Sequence, residues 1–589
     1  MVKDKMKAFR KEDASNVFIP PEGYVLEKVL LCSFGLSPTA IGELLLNFFP
    51  EGRTENRRHL EARTDEHKSF FSLIGELKAG NAGICFQNGQ IDKLERSARL
   101  TEALRVFLYP QKIIIKKTFR SRFHPKLYWA LFTPLGKGPR LARIVIGSKN
   151  ATETQSVECG VKFEFTEKSG QSKKKAKDPF VKQLADWARI TLKDPNKRGL
   201  AKLISNLEAG TQGMTWINRP PEILLLGNTT GDGTNEKLDL MLKEATNLVV
   251  VSPWANAKMI QTYLSTEKRH LVTLSSTLRT LSKAQQRQCL DLEKFLDLQR
   301  IKDTSDIHAK MILSKAVDGS ISSYIGSANF TRGGWEKNRE LGVLLKTKPG
   351  SIPSGFWDDL EMIRVSKEFD EHDIVPPLDW AGLLREYVSS GIFVWKQKRA
   401  LKICIEPWVG KPSPDQILLE IKSVTGHLIK LITFKSKKGL DETIVCESFA
   451  ENEVQQTLVV SVWIKGQKSA KAGFTILPED PHQQFKSLPG QAYRGDLFQL
   501  LNFFLTGKMI AVPIAGGGEE SHQSTSRSVP RTGLESILVK ALHQSRNLKE
   551  ARLKIERVLL HLNRRSKRKV ISEEQNQIAA AKAFLGGMR

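Results

Sequence analysis

The sequence predicts an α/β fold made of two half-domains with pseudo-twofold symmetry, followed by a mostly β accessory domain and a basic helical tail. Three observations predict it. His124-Pro125-Lys126, Gly147-Ser148-Lys149-Asn150 and Glu158-Cys159-Gly160-Val161 recur in the same order as His308-Ala309-Lys310, Gly326-Ser327-Ala328-Asn329 and Glu340-Leu341-Gly342-Val343. Apolar runs of strand length and helical periodicities are interleaved around each set. Strands that alternate with helices imply an α/β sheet in each copy, and two copies imply a symmetric pair.

The elements follow in order. Leu30 to Cys32 is an apolar run that ends in the small residues Ser33 and Gly35, and a helical pattern follows through Ile41, Leu44, Leu45 and Phe48. Leu248 to Val251, Ser252 and Pro253, with the helical Met259, Ile260 and Tyr263, repeat this grammar. Ile113-Ile114-Ile115 and Leu271-Val272-Thr273-Leu274 are expected as equivalent strands. Leu127 to Phe132 and Met311 to Leu313 follow the two His-x-Lys motifs. Ala142 to Ile146 and Ser323 to Ile325 run into the Gly-Ser turns. Phe180 to Trp187 and Phe356 to Ile363 are expected as the helices after the Glu-x-Gly-Val strands.

From about Phe393 the pattern changes to short strands, Ala400 to Ile405, Ile417 to Ile421 and Leu458 to Trp463, with a helical stretch from Phe498 to Phe504. The Gly, Ser and Thr content of 513–532 predicts a flexible linker. The expected units are half-domains at 1–212 and 213–390, the β domain at 391–512, that linker, and a basic helical tail at 533–589. At about 150 residues per domain, 589 residues suggest three or four units.

Composition narrows the function classes. A hydrophobic fraction of 40% with 26% charged residues is that of a soluble globular chain. No apolar run approaches the ~20 residues of a membrane span, and Met1 to Glu12 lacks a signal-peptide core. Six scattered cysteines without a Cys-x-x-Cys pair argue against a zinc ribbon and a disulfide framework, so a cytoplasmic location is expected. A formal net charge of +27 favours a polyanionic partner, nucleic acid first. Lys173, Lys174 and Lys175, and the tail cluster Arg564, Arg565, Lys567, Arg568 and Lys569, are the candidate phosphate contacts; the alternative is a solvated charged surface.

The duplicated residue types suit phosphodiester cleavage. One neutral histidine attacks phosphorus, and the other, protonated, donates to the leaving oxygen. Lys126 and Lys310 would hold the non-bridging oxygens. On a strand, residues two apart share a face, so each histidine would share a site with its lysine. Asn150 and Asn329 could hydrogen-bond phosphate, Ser148 and Ser327 could add hydroxyl donors, and Glu158 and Glu340 could accept from the far nitrogen of a histidine. The set needs no metal and no cofactor.

These motifs resemble those of the phospholipase D superfamily, whose signature is His-x-Lys followed by Gly-Ser-x-Asn, in two copies that meet at one active site. Ile325 to Thr331 is an especially close match, and the resemblance spans roughly 20 to 380. It implies phospholipase D-like half-domains, metal-independent chemistry through a phosphohistidine, and His124, in the first copy, as nucleophile with His308 as acid. Many members carry an Asp five residues after the Lys of His-x-Lys, but Leu131 and Lys315 stand there. Both copies therefore look like the branch that includes tyrosyl-DNA phosphodiesterase and nuclease-like members. The leading expectation is a nuclease acting on DNA, in restriction or anti-phage defence beside other subunits. The alternatives are end processing of tyrosyl-DNA type, a phospholipase, or an inactive DNA-binding module.

Overall fold

A computed structural model describes residues 18–48, 80–88, 107–111, 120–152, 156–167, 178–192, 198–217, 222–228, 236–278, 280–298, 307–347, 356–365, 392–397, 400–405, 413–423, 428–445, 458–466 and 470–476, with a few isolated residues between them. Lys173, Lys174, Lys175, Arg564, Arg565, Lys567, Arg568, Lys569, the Phe498 to Phe504 stretch, the linker and the tail lie outside the described residues.

The chain is a mixed α/β protein. Its first sheet is built from β1 (Tyr24–Ser33), β2 (Ala82–Gln87), β3 (Leu108–Gln111), β6 (Leu127–Pro134), β7 (Leu141–Gly147), β8 (Gly160–Thr166) and β9 (Thr215–Trp216), in the order β3-β2-β1-β6-β7-β8-β9. β4 (Ile114–Ile115) and β5 (Arg120–Ser121) form a separate ribbon. The second sheet contains β10 (Glu222–Asn228), β11 (Asn247–Val251), β12 (Arg269–Val272), β13 (Cys289–Leu290), β14 (Met311–Lys315), β15 (Ile321–Gly326) and β16 (Glu340–Thr347), in the order β10-β16-β15-β14-β11-β12-β13. β1 pairs parallel with β2 and antiparallel with β6, and β11 pairs parallel with β12 and antiparallel with β14, so in each sheet the antiparallel partner is the strand after His-x-Lys. The edge strand next to the Glu-x-Gly-Val strand is β9, after β8 in sequence, in one sheet, and β10, before β11, in the other.

One expected equivalence is corrected. The strand that corresponds to β12 is β2, which pairs parallel with β1, whereas Ile114–Ile115 pairs only with Arg120–Ser121. The run Ala82-Gly83-Ile84-Cys85-Phe86 is buried throughout. Its small first residues hide it among loops, yet Gly83 lets the Leu203 side chain pack closely, since a Cβ would lie 2.8 Å from it.

Helix α1 (Pro38–Leu46) starts with proline, whose fixed φ suits the first turn, and buries Ile41, Leu44 and Leu45 on one face of the first sheet. On the other face lie α2 (Pro179–Thr191) and α3 (Arg198–Gln212). Asp178 caps α2 by accepting from the backbone N–H of Phe180 and Val181. Its second oxygen accepts from Trp216 Nε1 at 2.6 Å. Leu341 and Val343 of β16 belong to this same core, so the two sheets share apolar packing. In the second sheet, α4 (Glu236–Glu244) and α5 (Ala257–Tyr263) cover one face, and α6 (Phe356–Glu361) covers the other.

Beyond residue 391 the described strands are β17 (Ile392–Gln397), β18 (Ala400–Ile405), β19 (Gln416–Ser423), β20 (Leu428–Lys435), β21 (Leu440–Val445), β22 (Leu458–Ile464) and β23 (Lys471–Ile476), in a three-stranded and a four-stranded sheet. Ile417, Leu419 and Ile421 alternate into their core, the period expected of a strand. Among the described residues, no helix is long and apolar enough to cross a membrane.

Candidate active site

Both His-x-Lys motifs lie just before a strand rather than on its ladder: β6 begins at Leu127 and β14 at Met311. Their backbone bonds cross between the copies. The His124 N–H donates to Arg339 O at 3.0 Å, immediately before Glu340, and the His308 N–H donates to Val157 O at 2.9 Å, immediately before Glu158. Each histidine is thereby clamped to the chain that carries the other copy's glutamate.

The side chains repeat this crossing. His124 Nδ1 meets Glu340 Oε2 at 2.9 Å, and His308 Nδ1 meets Glu158 Oε1 at 3.0 Å. A carboxylate only accepts, so each imidazole carries its proton on Nδ1 when neutral and leaves Nε2 with a lone pair. Each glutamate is anchored from its own copy. Ser327 Oγ and Asn338 Nδ2 donate to Glu340, while Ser148 Oγ and Ser156 Oγ donate to Glu158. The two motif serines are fully buried. Their hydroxyls, expected at the phosphate, are spent on the carboxylates instead and accept from the Cys159 and Leu341 N–H groups.

A close backbone approach permits this arrangement. Gly147 faces Gly160 and Gly326 faces Gly342 in register. A Cβ on Gly147 would lie 2.3 Å from Cys159 O, and one on Gly326 would lie 2.7 Å from the Gly342 Cα. The glycines bring the Ser148 N–H within 2.8 Å of Cys159 O and the Ser327 N–H within 3.0 Å of Leu341 O.

Lys126 Nζ reaches His124 Nε2 at 3.0 Å and donates to His124 O at 2.8 Å. Lys310 Nζ donates to His308 O at 2.6 Å. Both lysines are buried, at 3% and 1% exposure, which is rare for an ammonium unless its charge is used. Asn150 Oδ1 lies 3.5 Å from Ser33 Oγ, and Asn329 Oδ1 is a buried acceptor without a partner among the described residues.

The electrostatics follow from burial and mutual charge. Burial pushes the His124 imidazole down to about 4, against the opposing charge of Glu340 and with the help of Lys126. Burial and Lys310 lower His308 against the pull of Glu158. Burial alone would raise Glu158, but its bond to His308, that ring's charge, Ser148 and Lys310 hold it at about 2. Glu340 is likewise lowered despite its burial, by His124, Lys126 and Ser327. Burial and the neighbouring Lys310 bring Lys126 well below the ordinary lysine value. At neutral pH the carboxylates are thus charged and the imidazoles neutral.

Two aromatic residues complete the site, and neither carries a motif signal. Phe34 lies 5.0 Å from the His124 ring and 5.9 Å from Lys126 Nζ; Trp254 lies 6.1 Å from the His308 ring and 5.9 Å from Lys310 Nζ. Phe34 directly follows Ser33 at the end of β1, and Trp254 comes two residues after Ser252, just past β11. Ser33 Oγ accepts from the Ala151 N–H and Ser252 Oγ from the Phe330 N–H, each one residue past Gly-Ser-x-Asn.

No family model matches the sequence, and no curated protein matches it. The fold is similar to a solved structure of the yeast tyrosyl-DNA phosphodiesterase, 14% identical, covering 57% of this chain and 87% of that chain with a TM-score of 0.34. A mutant form of the yeast enzyme gives 13% identity, 56% and 85% coverage and a TM-score of 0.35.

Proposed function

We propose that the chain is a phosphodiesterase of the phospholipase D superfamily, with two phospholipase D-like half-domains, that cleaves nucleic acid, DNA foremost, without a metal. The observation that carries this reading is the crossed pair of His–Glu contacts between buried lysines. Such a pair offers two imidazoles of fixed tautomer, both with Nε2 unprotonated or protonated as the step requires, beside two cationic groups.

In the first step His124 Nε2 attacks phosphorus, the bond from phosphorus to the leaving oxygen breaks, and His308 Nε2–H protonates that oxygen. In the second step His308 Nε2 takes a proton from water, the oxygen attacks phosphorus, and the P–N bond breaks. Glu340 stabilises the charge that develops on His124 during attack. Lys126 turns from Nε2 toward a non-bridging oxygen, where it and Lys310 oppose the charge of the transition state. Asn150 and Asn329 complete the phosphate contacts. The assignment of His308 as acid is supported by its greater side-chain exposure, 18% against 8% for His124, because the acid must meet a departing group. The excess of positive charge, +27, favours nucleic acid over a neutral-headgroup lipid.

The test is cleavage of single-stranded and duplex DNA and RNA in excess chelator. Activity is expected to persist there and to vanish in His124→Ala and in His308→Ala. An acid-labile, base-stable protein–oligonucleotide adduct trapped from the parent chain during turnover, and absent in His124→Ala, would identify the covalent step. Abolition of cleavage by chelator alone would sink the metal-free mechanism.

A further inference from the structure

The two sides of the site differ where the motifs do not. On the His124 side the flanking aromatic, Phe34, follows Ser33 directly and is half-buried. On the His308 side Pro253 intervenes between Ser252 and the aromatic, and Trp254 is 48% exposed. Trp254 thus leaves an indole face open to water 6.1 Å from the half-buried His308 ring and 5.9 Å from the buried Lys310 Nζ.

Its backbone is nevertheless held firmly. Ser252 Oγ donates to Trp254 O at 2.7 Å. Thr273 Oγ1 and Thr277 Oγ1 both donate to Pro253 O, at 3.1 and 2.8 Å. Ala255 pairs with Phe330, just past Asn329, and Asn256 caps α5 through the Met259 N–H at 3.0 Å. Three buried or half-buried hydroxyls thus fix the carbonyls of two successive residues, so the indole is presented on a rigid base rather than a loose loop.

We propose that Trp254 is a specificity-determining residue, the platform on which an unpaired nucleobase stacks when its phosphate lies between His124 and His308. This rests on the nuclease reading and names its substrate class: single-stranded nucleic acid or an unpaired end. A nucleobase suits the site because it carries a flat π-face within one nucleotide of a phosphate. Within a duplex both faces of each base are already covered by its neighbours, so a paired base has none to offer until it is unstacked. The indole lies on the side of His308, which places the stacked base on the leaving-group side of the scissile bond.

The test is a double-mutant cycle between the indole and the base. The full-length chain and Trp254→Ala are compared on a single-stranded oligonucleotide and on the same strand with abasic residues around the scissile position. Removing the base is expected to raise KM of the parent by about tenfold, and Trp254→Ala to do the same on the intact strand. Once the indole is gone, removing the base has no further effect. Trp254→Phe recovers most of the loss. The same cycle is run by fluorescence anisotropy in the His124→Ala background, where no cleavage is needed. Equal penalties for base removal with and without the indole, in binding and in KM, would overturn the stacking role while leaving the nuclease reading intact. Coupled binding without cleavage by the parent would instead retain the platform and remove the nuclease.

Discussion

His124 and His308 must be in opposite protonation states for the proposed first step, and their surroundings fix where in pH this happens. Attack requires neutral His124, which burial holds down to about 4, so activity rises as pH increases through that value. Leaving-group protonation requires protonated His308, which burial and Lys310 place below the ordinary 6.5, so activity falls as pH rises through the lowered value. kcat/KM is therefore expected to peak on the acid side of neutrality, below the ordinary imidazole value, as a profile from acid to alkaline pH would reveal. A peak on the alkaline side of neutrality would contradict the assignment. The crossed contacts add a signature. Glu340→Gln removes the charge that favours protonated His124, so the acid limb moves to lower pH; Glu158→Gln does so for His308, so the alkaline limb moves to lower pH. Each is expected to lower kcat by about a hundred- to ten-thousandfold. The residue types that meet at the candidate site, at 124, 126, 158, 308, 310 and 340, were legible because their order recurs. The crossing was not, since spacing within a copy says nothing about which copy's carboxylate reaches which ring. Phe34 and Trp254 escaped notice because aromatics at strand ends ordinarily pack in cores.

At the scale of elements, the site depends on how closely the Gly-Ser and Glu-x-Gly strands approach. Gly147→Ala inserts a methyl 2.3 Å from Cys159 O, and backbone on both sides must move. The expected cost is about 1–3 kcal/mol, read as a lower Tm, with a fall in activity because Ser148 and Glu158 move together. Gly213→Ala, where a Cβ would meet nothing within 4 Å, is the control and should leave Tm nearly unchanged. At the start of α2, Asp178→Ala removes the cap and the Trp216 contact at once, and urea unfolding should show a loss of about 1–2 kcal/mol. Strands after His-x-Lys were readable from continuous apolar runs, because both faces of these sheets are covered. Ile113-Ile114-Ile115 was expected in the place that β2 takes, and that expectation failed for a related reason. β2 packs closely against α3 at Gly83, a tertiary contact that local pattern does not reveal, whereas the β-branched Ile114–Ile115 carried the stronger local propensity without a place in the sheet.

At the scale of the whole molecule, neither motif copy holds a complete site. His124 takes its carboxylate and its backbone acceptor from the chain around Glu340, and His308 takes both from the chain around Glu158. The shared core, in which Leu341 and Val343 pack with the first sheet's residues, fixes the two copies against each other at the separation these contacts require. Duplication in sequence could predict a common site but not this mutual dependence. The dependence predicts a pattern of energetic coupling that follows space rather than sequence. In double-mutant cycles measured by urea unfolding, His124→Gln and Glu340→Gln should couple by about 1–3 kcal/mol, as should His308→Gln and Glu158→Gln. His124→Gln with Glu158→Gln, neighbours within one motif copy, should be additive to within about 0.5 kcal/mol. If coupling instead followed the motif copies, each half would be an independent unit, and the exchange of carboxylates between them would not be what holds the histidines.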